Sequence, residues 1–429
     1  MTNEQTTMKV LWISNVTFPE AKGLLNQNAE MKGSGGWLTS LADALVADGG
    51  VELHVASISS LVKELTMLKG QSLEYHILPV GNGDKKYNSS YEALYREVCN
   101  SVMPDVVHIH GTEYPHSLAA LHACGPQHSV VSIQGLVSVI ARYNRGGISK
   151  WEALKNTTFH DIMRGGIIRQ QREMLKNGRY EEQLLREAKY VMGRTSFDRE
   201  HLWAINSDAE YFHCGEILRK EFYEGRKWDY KKCTQHSIFM SQGAFPIKGL
   251  HVVVKSLSIV IRHYPDVRIR VAGRDILFRN GEFRDRFRIT GYGKILRKLI
   301  RKYRLDEHIT FTGPLNAREM VEEYLGSNLF LCPSSIENSP NSLAEAQVLG
   351  VPCIASYVGG IPDMMKGVEE NLYRFDDAEM LAYKIYEVFD RKMMCDEELL
   401  AAHNERHDVK KICQATLNAY QSIAGGAKR

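Results

Sequence analysis

Two carboxylates, Glu337 and Glu345, stand eight residues apart in the stretch from Pro333 to Pro352. That stretch reads as strand end, polar loop, helix, Gly350-Val-Pro352 turn and a further strand. A carboxylate accepts two hydrogen bonds, so each can hold the vicinal diol of a ribose or hexose. The loop that follows a parallel strand, at a helix N-terminus, is where such folds bind anions. The backbone N–H groups of Asn341, Ser342 and Leu343 are therefore candidates to hold a phosphate. Glu345 has a second reading, because Ser342-Leu-Ala-Glu345 fits a capping box and a Glu in the first turn suits the helix dipole. Upstream, Ser241-Gln-Gly243-Ala-Phe-Pro-Ile-Lys248-Gly249-Leu250 puts a cation at a strand–turn–helix junction, although a solvated surface lysine is the plainer alternative.

The N-terminal half carries weaker signals. Gly33, Gly35 and Gly36 permit close backbone approach of a ligand, or simply a flexible loop. They begin about eighteen residues past the first strand, so a nicotinamide-binding turn fits poorly. The second strand ends in Ser57-Ile-Ser-Ser60 and lacks the acidic residue that would hold a ribose. His110, Glu113 and His116 cluster after a strand, where a satisfied structural histidine is the competing reading for each ring. Gln134 ends the following strand and can hydrogen-bond a sugar, but cannot accept a proton at neutral pH.

Taken together, these segments resemble family 4 retaining glycosyltransferases of the GT-B architecture. The resemblance rests on the Glu337-x7-Glu345 pair with Ala346-x-x-x-Gly-Val-Pro352, on the Lys248-Gly249 segment, on Ile309 to Pro314, and on Gly35-Gly36-Trp37. His110 to His116 and Gly193-Arg-Thr195 look like a branch that builds bacterial surface polysaccharides. The resemblance implies a metal-independent, front-face transfer from a sugar nucleotide: UDP-sugar, with GDP- or ADP-sugar as alternatives. The acceptor would be a glycan or a lipid-linked sugar. No cofactor or metal is implied.

Residue by residue, it implies that Lys248 neutralises the departing diphosphate and that Glu337 contacts the donor sugar. Glu345 would bind the ribose diol, and the amides of Asn341, Ser342 and Leu343 the distal phosphate. Gly35, Gly36, Gly243 and Leu315 would complete the donor site, the base being read by backbone near Leu315 and Asn316. Gln134 and His110 join the catalytic set, with Glu113 and His116 facing the acceptor. Two positions depart from the family pattern: Ala244 stands where an Arg is usual, and Gln134 where many members carry a His. Arg274 is a candidate to replace the missing cation. A sugar-nucleotide epimerase, a phosphorylase, or a non-catalytic sugar-nucleotide binding subunit are the alternative functions.

These residues need scaffolding, and the sequence supplies it. The 429 residues are 44% hydrophobic and 24% charged, ordinary values for a globular chain of two or three domains. Short apolar runs such as Lys9–Asn15, Asp105–His110, Ser237–Ser241 and Asn328–Cys332 alternate with helical patterns, as parallel α/β sheets require. The expected architecture is α/β: two Rossmann-like domains with parallel sheets facing across a cleft. The predicted limits are 1–225 for an acceptor domain, 226–405 for a donor domain, and 406–429 for a helix returning to the first. Glu221 to Lys232 reads as the linker.

Lys and Arg number 54 against 51 Asp and Glu, a net +3, so nucleic acid is not an expected partner. No apolar run reaches the ~18–20 residues of a membrane span. Eight cysteines form no CxxC pair, which suggests neither zinc nor a disulfide framework and a reduced, cytoplasmic protein. The stretch 279–304 holds ten Lys or Arg, and Lys294–Lys302 is a basic amphipathic helix. Either it lies on anionic lipid at the inner face of the plasma membrane, or it buries Ile295, Leu299 and Ile300 and solvates its other side.

Overall fold

The computed structural model describes residues 7–26, 36–80, 87–278, 287–391 and 396–426. The chain divides into two compact units, residues 1–138, 175–219 and 406–429 in the first, residues 139–174 and 220–405 in the second.

The first unit is built on an eight-stranded sheet. Its strands are β1 (Met8–Ser14), β2 (Val51–Ser59), β3 (Thr66–Lys69), β4 (Glu74–Pro79), β5 (Val106–His110), β6 (Ser129–Ser132), β7 (Tyr190–Gly193) and β8 (Glu210–His213). They lie in the order β3-β4-β2-β1-β5-β6-β7-β8. All neighbours are parallel except β3 and β4. Val10, Leu11, Trp12 and Ile13 of β1 are wholly buried, as expected of a central parallel strand covered on both faces.

The second sheet has six strands: β9 (Thr234–Met240), β10 (Arg268–Val271), β11 (Ile309–Phe311), β12 (Ser327–Cys332), β13 (Cys353–Ser356) and β14 (Leu372–Tyr373). The order is β11-β10-β9-β12-β13-β14, parallel throughout. Its core packs Ile238 and Leu329 of the sheet against Val253, Leu257, Ile295 and Ile300 of covering helices.

In each sheet the chain reverses direction of growth beside its first strand: at β1–β5 in the first, at β9–β12 in the second. At such a switch point the loops leaving the C-terminal strand ends diverge and open a crevice. Lys248 follows β9 and Glu337 follows β12. Asn15 follows β1 and Glu113 follows β5.

Several expectations need correction. Residues 139–174 join the second unit, held there by Ser335 Oγ donating to the Tyr143 carbonyl at 3.0 Å and by Gly291 N–H donating to Asp161 at 2.8 Å. The stretch read as the linker begins beside the 219/220 division of the chain, and it is fastened: Trp228 is buried and its indole N–H donates to the Ser327 carbonyl at 2.7 Å. Cys99 and Cys124 are disulfide-bonded, although their 25-residue separation carries no motif; packing of the helices Ser90–Val102 and Pro115–Cys124 brings them together. The basic helix, Gly291–Tyr303, turns Ile295, Leu296 and Ile300 inward, with Leu299 packed at the edge of the same core. Its apolar face is thus used inside the protein and none is left to enter a bilayer. No described helix is long and apolar enough to cross a membrane.

The last helix, Val409–Gly426, belongs to the first unit. The Tyr420 hydroxyl accepts from the Trp12 indole N–H at 2.9 Å and lies 2.6 Å from His108 Nδ1, all three groups buried. Tyr420→Phe strands a buried donor, and equilibrium urea unfolding should register a loss of about 1–3 kcal/mol.

Candidate active site

In the second unit the site is assembled by backbone contacts too close for side chains. After β9 the chain makes a single 3-10 turn, Pro246–Lys248, and then Gly249 adopts φ +74° to start the Leu250–Val260 helix. A Cβ on Gly249 would stand 1.9 Å from the Pro333 carbonyl oxygen. Gly359, at φ +52°, abuts the Glu337 carbonyl in the same way, at 1.8 Å. The Ser335 N–H donates to the Ile247 carbonyl at 2.8 Å and the Gly360 N–H to the Glu337 carbonyl at 3.1 Å. The loop after β12 is therefore clamped from both sides.

The clamp brings Lys248 and Glu337 together as an ion pair. Ser334 Oγ donates to the same Glu337 oxygen at 2.7 Å. Burial by itself would lower the Lys248 amine, but the adjoining Glu337 carboxylate outweighs it and holds the amine above its ordinary value. The result is a fixed, fully protonated cation at the switch point, suited to a phosphate oxygen.

The helix Asn341–Leu349 starts differently from the capping box expected. Its cap is Pro340, which offers no side-chain hydrogen bond, and Ser342 is already helical. The Leu343 N–H donates to the Pro340 carbonyl at 3.0 Å, so the anion-facing amides narrow to those of Asn341 and Ser342. Glu345, with its capping role gone, is buried under the Tyr324 hydroxyl, which lies 3.3 Å from its carboxylate and 2.8 Å from the Ser342 carbonyl.

Other donor-side candidates separate. Gly243 is a packing position, where a Cβ would meet Leu250 and Val271 at 2.8 Å. Leu315 is half-buried beyond the bridge between Gly273 and Gly313. The Asn316 N–H is taken by Glu319 at 2.7 Å in a capping box, which removes it from base recognition. Arg274 is exposed beyond the C-terminal end of β10.

In the first unit, Arg194 follows β7; its sequence marks it only as part of the Gly193-Arg-Thr195 segment, with no role attached. Buried, it donates to Glu216 Oε2 at 2.6 Å and, through its other terminal nitrogen, to Gln134 Oε1, and it lies over the Trp37 ring at 5.5 Å. Gln134 is thus a guanidinium partner first. Only the tertiary fold reveals this, since the three residues come from different strand ends. His110 is packed 3.7 Å from the His108 ring and 4.3 Å from Trp12. Burial, then His108 and Arg194, hold its pKa well below the ordinary value, so it stays neutral. Among the described residues neither of its ring nitrogens has a hydrogen-bond partner. His116 is buried and hydrogen-bonded to Tyr95 at 3.0 Å. Glu113 sits beside Asn15, 3.4 Å away, and burial followed by repulsion from Glu181 pushes its carboxyl up to about 7. Gly36 opens the Gly36–Asp48 helix against Arg219, and Gly35 lies outside the described residues.

The two parallel-sheet Rossmann-like units define the GT-B architecture of glycosyltransferases. Residues 227–406 match the family model described as glycosyl transferases group 1. The D-inositol 3-phosphate glycosyltransferase of Corynebacterium urealyticum is 29% identical over 184 residues, 41% of each chain. A putative colanic acid biosynthesis glycosyltransferase of Salmonella typhimurium is 30% identical over 150 residues, 33% of this chain and 32% of that one. The chain spans between 25% and 41% of the length of the curated relatives it matches. Anabaena HepE, solved with UDP and glucose, superposes with a TM-score of 0.63 at 16% identity, covering 97% of this chain and 100% of that one.

Two predictions follow from this geometry. Gly249→Ala should cost at least about 1–3 kcal/mol in chemical denaturation, from the left-handed backbone alone. Glu113 keeps its proton longer when folded than unfolded, so between about pH 4.5 and 7 the unfolded chain binds fewer protons and stability falls as pH rises. Melting curves of Glu113→Gln should lack that decline.

Proposed function

We propose that the protein is a metal-independent, retaining glycosyltransferase that moves a sugar from a nucleoside diphosphate to a glycan or lipid-linked acceptor. The observation that carries this reading is the Lys248–Glu337 pair at the β9–β12 switch point, beside the N-terminus of the Asn341–Leu349 helix. Glycosyl transfer leaves a diphosphate whose negative charge grows as the bond to the sugar breaks. A protonated Lys248 and the Asn341 and Ser342 amides are matched to that charge. Glu337 is suited to sugar hydroxyls, and Glu345 to the ribose diol. In a retaining, front-face course the leaving phosphate takes the acceptor proton, so a neutral His110 and an engaged Gln134 are compatible with turnover.

UDP-sugar is the favoured donor, supported by the likeness to HepE, solved with UDP and glucose; GDP- and ADP-sugars are the alternatives to test. The relative named for colanic acid synthesis supports a role in cell-surface polysaccharide assembly.

Thermal unfolding with UDP, GDP, ADP and NAD tests the donor class. Ligand at ~100 times its dissociation constant stabilises by about 2.7 kcal/mol, a shift of roughly 5–10 °C for a unit of ~200 residues. One diphosphate alone should give it; a shift with NAD only would overturn the reading. Lys248→Ala should lower kcat about 100- to 1,000-fold, and Glu345→Ala should abolish the shift. Wild-type turnover in either variant counts against these roles. Donor binding without transfer across a broad acceptor panel would identify a binding subunit instead.

A further inference from the structure

Two short helices in the second unit, Lys150–Lys155 and Phe159–Arg164, expose their large apolar side chains. Apolar side chains point outward: Trp151 is 76% exposed, Ile162 69% and Met163 65%, with Leu154 and Phe159 also more than half exposed. Two polar side chains, one of them the C-cap of the first helix, point inward. Asn156 and Asp161 are buried. Asn156 accepts from Lys298 Nζ at 2.6 Å, and Asp161 accepts from the Gly291 N–H at 2.8 Å and the Thr158 N–H at 3.0 Å. A solvent-facing helix ordinarily turns such large apolar side chains inward.

The outward face is held rigidly. Ser149 caps the first helix, and Thr158 with Asp161 forms a capping box on the second. Both helices are tied to the basic Gly291–Tyr303 helix through Asn156 and Asp161. Phe159 makes an edge contact with the half-exposed Phe287 ring at 5.9 Å. Cations border the apolar groups: Lys150, Lys155, Arg164 and Arg288 are exposed, against one exposed carboxylate in the two helices, Glu152.

Large apolar side chains exposed on neighbouring helices mark a contact surface. Its chemistry selects among partners. Trp and long aliphatic side chains between lysines and arginines match the boundary between acyl chains and anionic headgroups. We propose that the face formed by Trp151, Leu154, Phe159, Ile162 and Met163 docks the protein on an anionic lipid surface, with Lys150, Lys155 and Arg164 at headgroup level. The contact differs from the one expected of the Lys294–Lys302 helix: that helix spends its apolar face on the core and contributes positive charge and an anchor. The proposal is independent of the catalytic reading.

Vesicle sedimentation of the full chain tests it, using phosphatidylcholine alone and phosphatidylcholine mixed with phosphatidylglycerol. The wild type should sediment with the mixed vesicles and not with phosphatidylcholine alone, less so as salt rises. The variant Trp151→Ser/Ile162→Ser/Met163→Ser should lose at least about tenfold in vesicle affinity, as should Lys150→Glu/Lys155→Glu. All of these side chains are exposed, so both variants should keep the wild-type melting temperature. Wild-type protein that stays in the supernatant with mixed vesicles overturns the proposal, as does a triple variant that binds undiminished. A wild type that ignores vesicles but is dimeric by light scattering, with a monomeric triple variant, would make the face an interface between copies.

Discussion

The contact between Gly249 and the Pro333 carbonyl is the constraint on which the second unit's site depends. The chain leaving β9 and the chain leaving β12 touch backbone to backbone, at a distance no Cβ permits. Parallel strands bring their C-terminal ends to one edge, and the reversal of strand order makes those ends diverge. Left alone, the loops would spread. Gly249 on one side and Gly359 on the other draw them together, and only then can Lys248 reach Glu337. The ion pair is thus a consequence of backbone geometry. The Glu337 carboxylate in turn keeps the lysine charged despite burial.

The two units use burial to opposite ends. Around Lys248, a carboxylate offsets the cost of enclosing a cation. At the strand ends of the first unit, burial neutralises: His108 falls to about 3 and His110 lies well below its ordinary value. The charge retained there is concentrated in the Arg194–Glu216 pair, in which each ion is desolvated and compensated by the other. Glu113 stands between these regimes, with a carboxyl near 7 that changes protonation close to neutral pH.

The helices at residues 150–164 show how packing and pattern can disagree. Their sequence carries good caps and ordinary helical spacing. Two polar residues, Asn156 and Asp161, fasten the pair to the Gly291–Tyr303 helix, and the large apolar side chains are left outside beside the charged ones. Hydrogen bonds to buried Asn156 and Asp161 compensate the desolvation of those groups, so the arrangement is stable without the outer face being covered.

Much of the architecture was legible in the residues alone. Continuous apolar runs such as Val10–Ile13 and Leu329–Leu331 specify buried parallel strands, because only a strand covered on both faces has no polar side. Lys248 and Glu337 are legible as polar residues at two strand ends, and the fold brings these two together as an ion pair. Local chemistry misled where a backbone hydrogen bond took the role of a side chain: Pro340 supplies the carbonyl that made a Ser342 cap unnecessary, and Leu343 spends its amide there. What only the tertiary structure decided are contacts between distant segments. Arg194 with Gln134 and Glu216, Cys99 with Cys124, and residues 139–174 with the second unit leave no periodic trace. Periodicity records which face of an element is buried, whereas the partner across that face is chosen by the path of the whole chain.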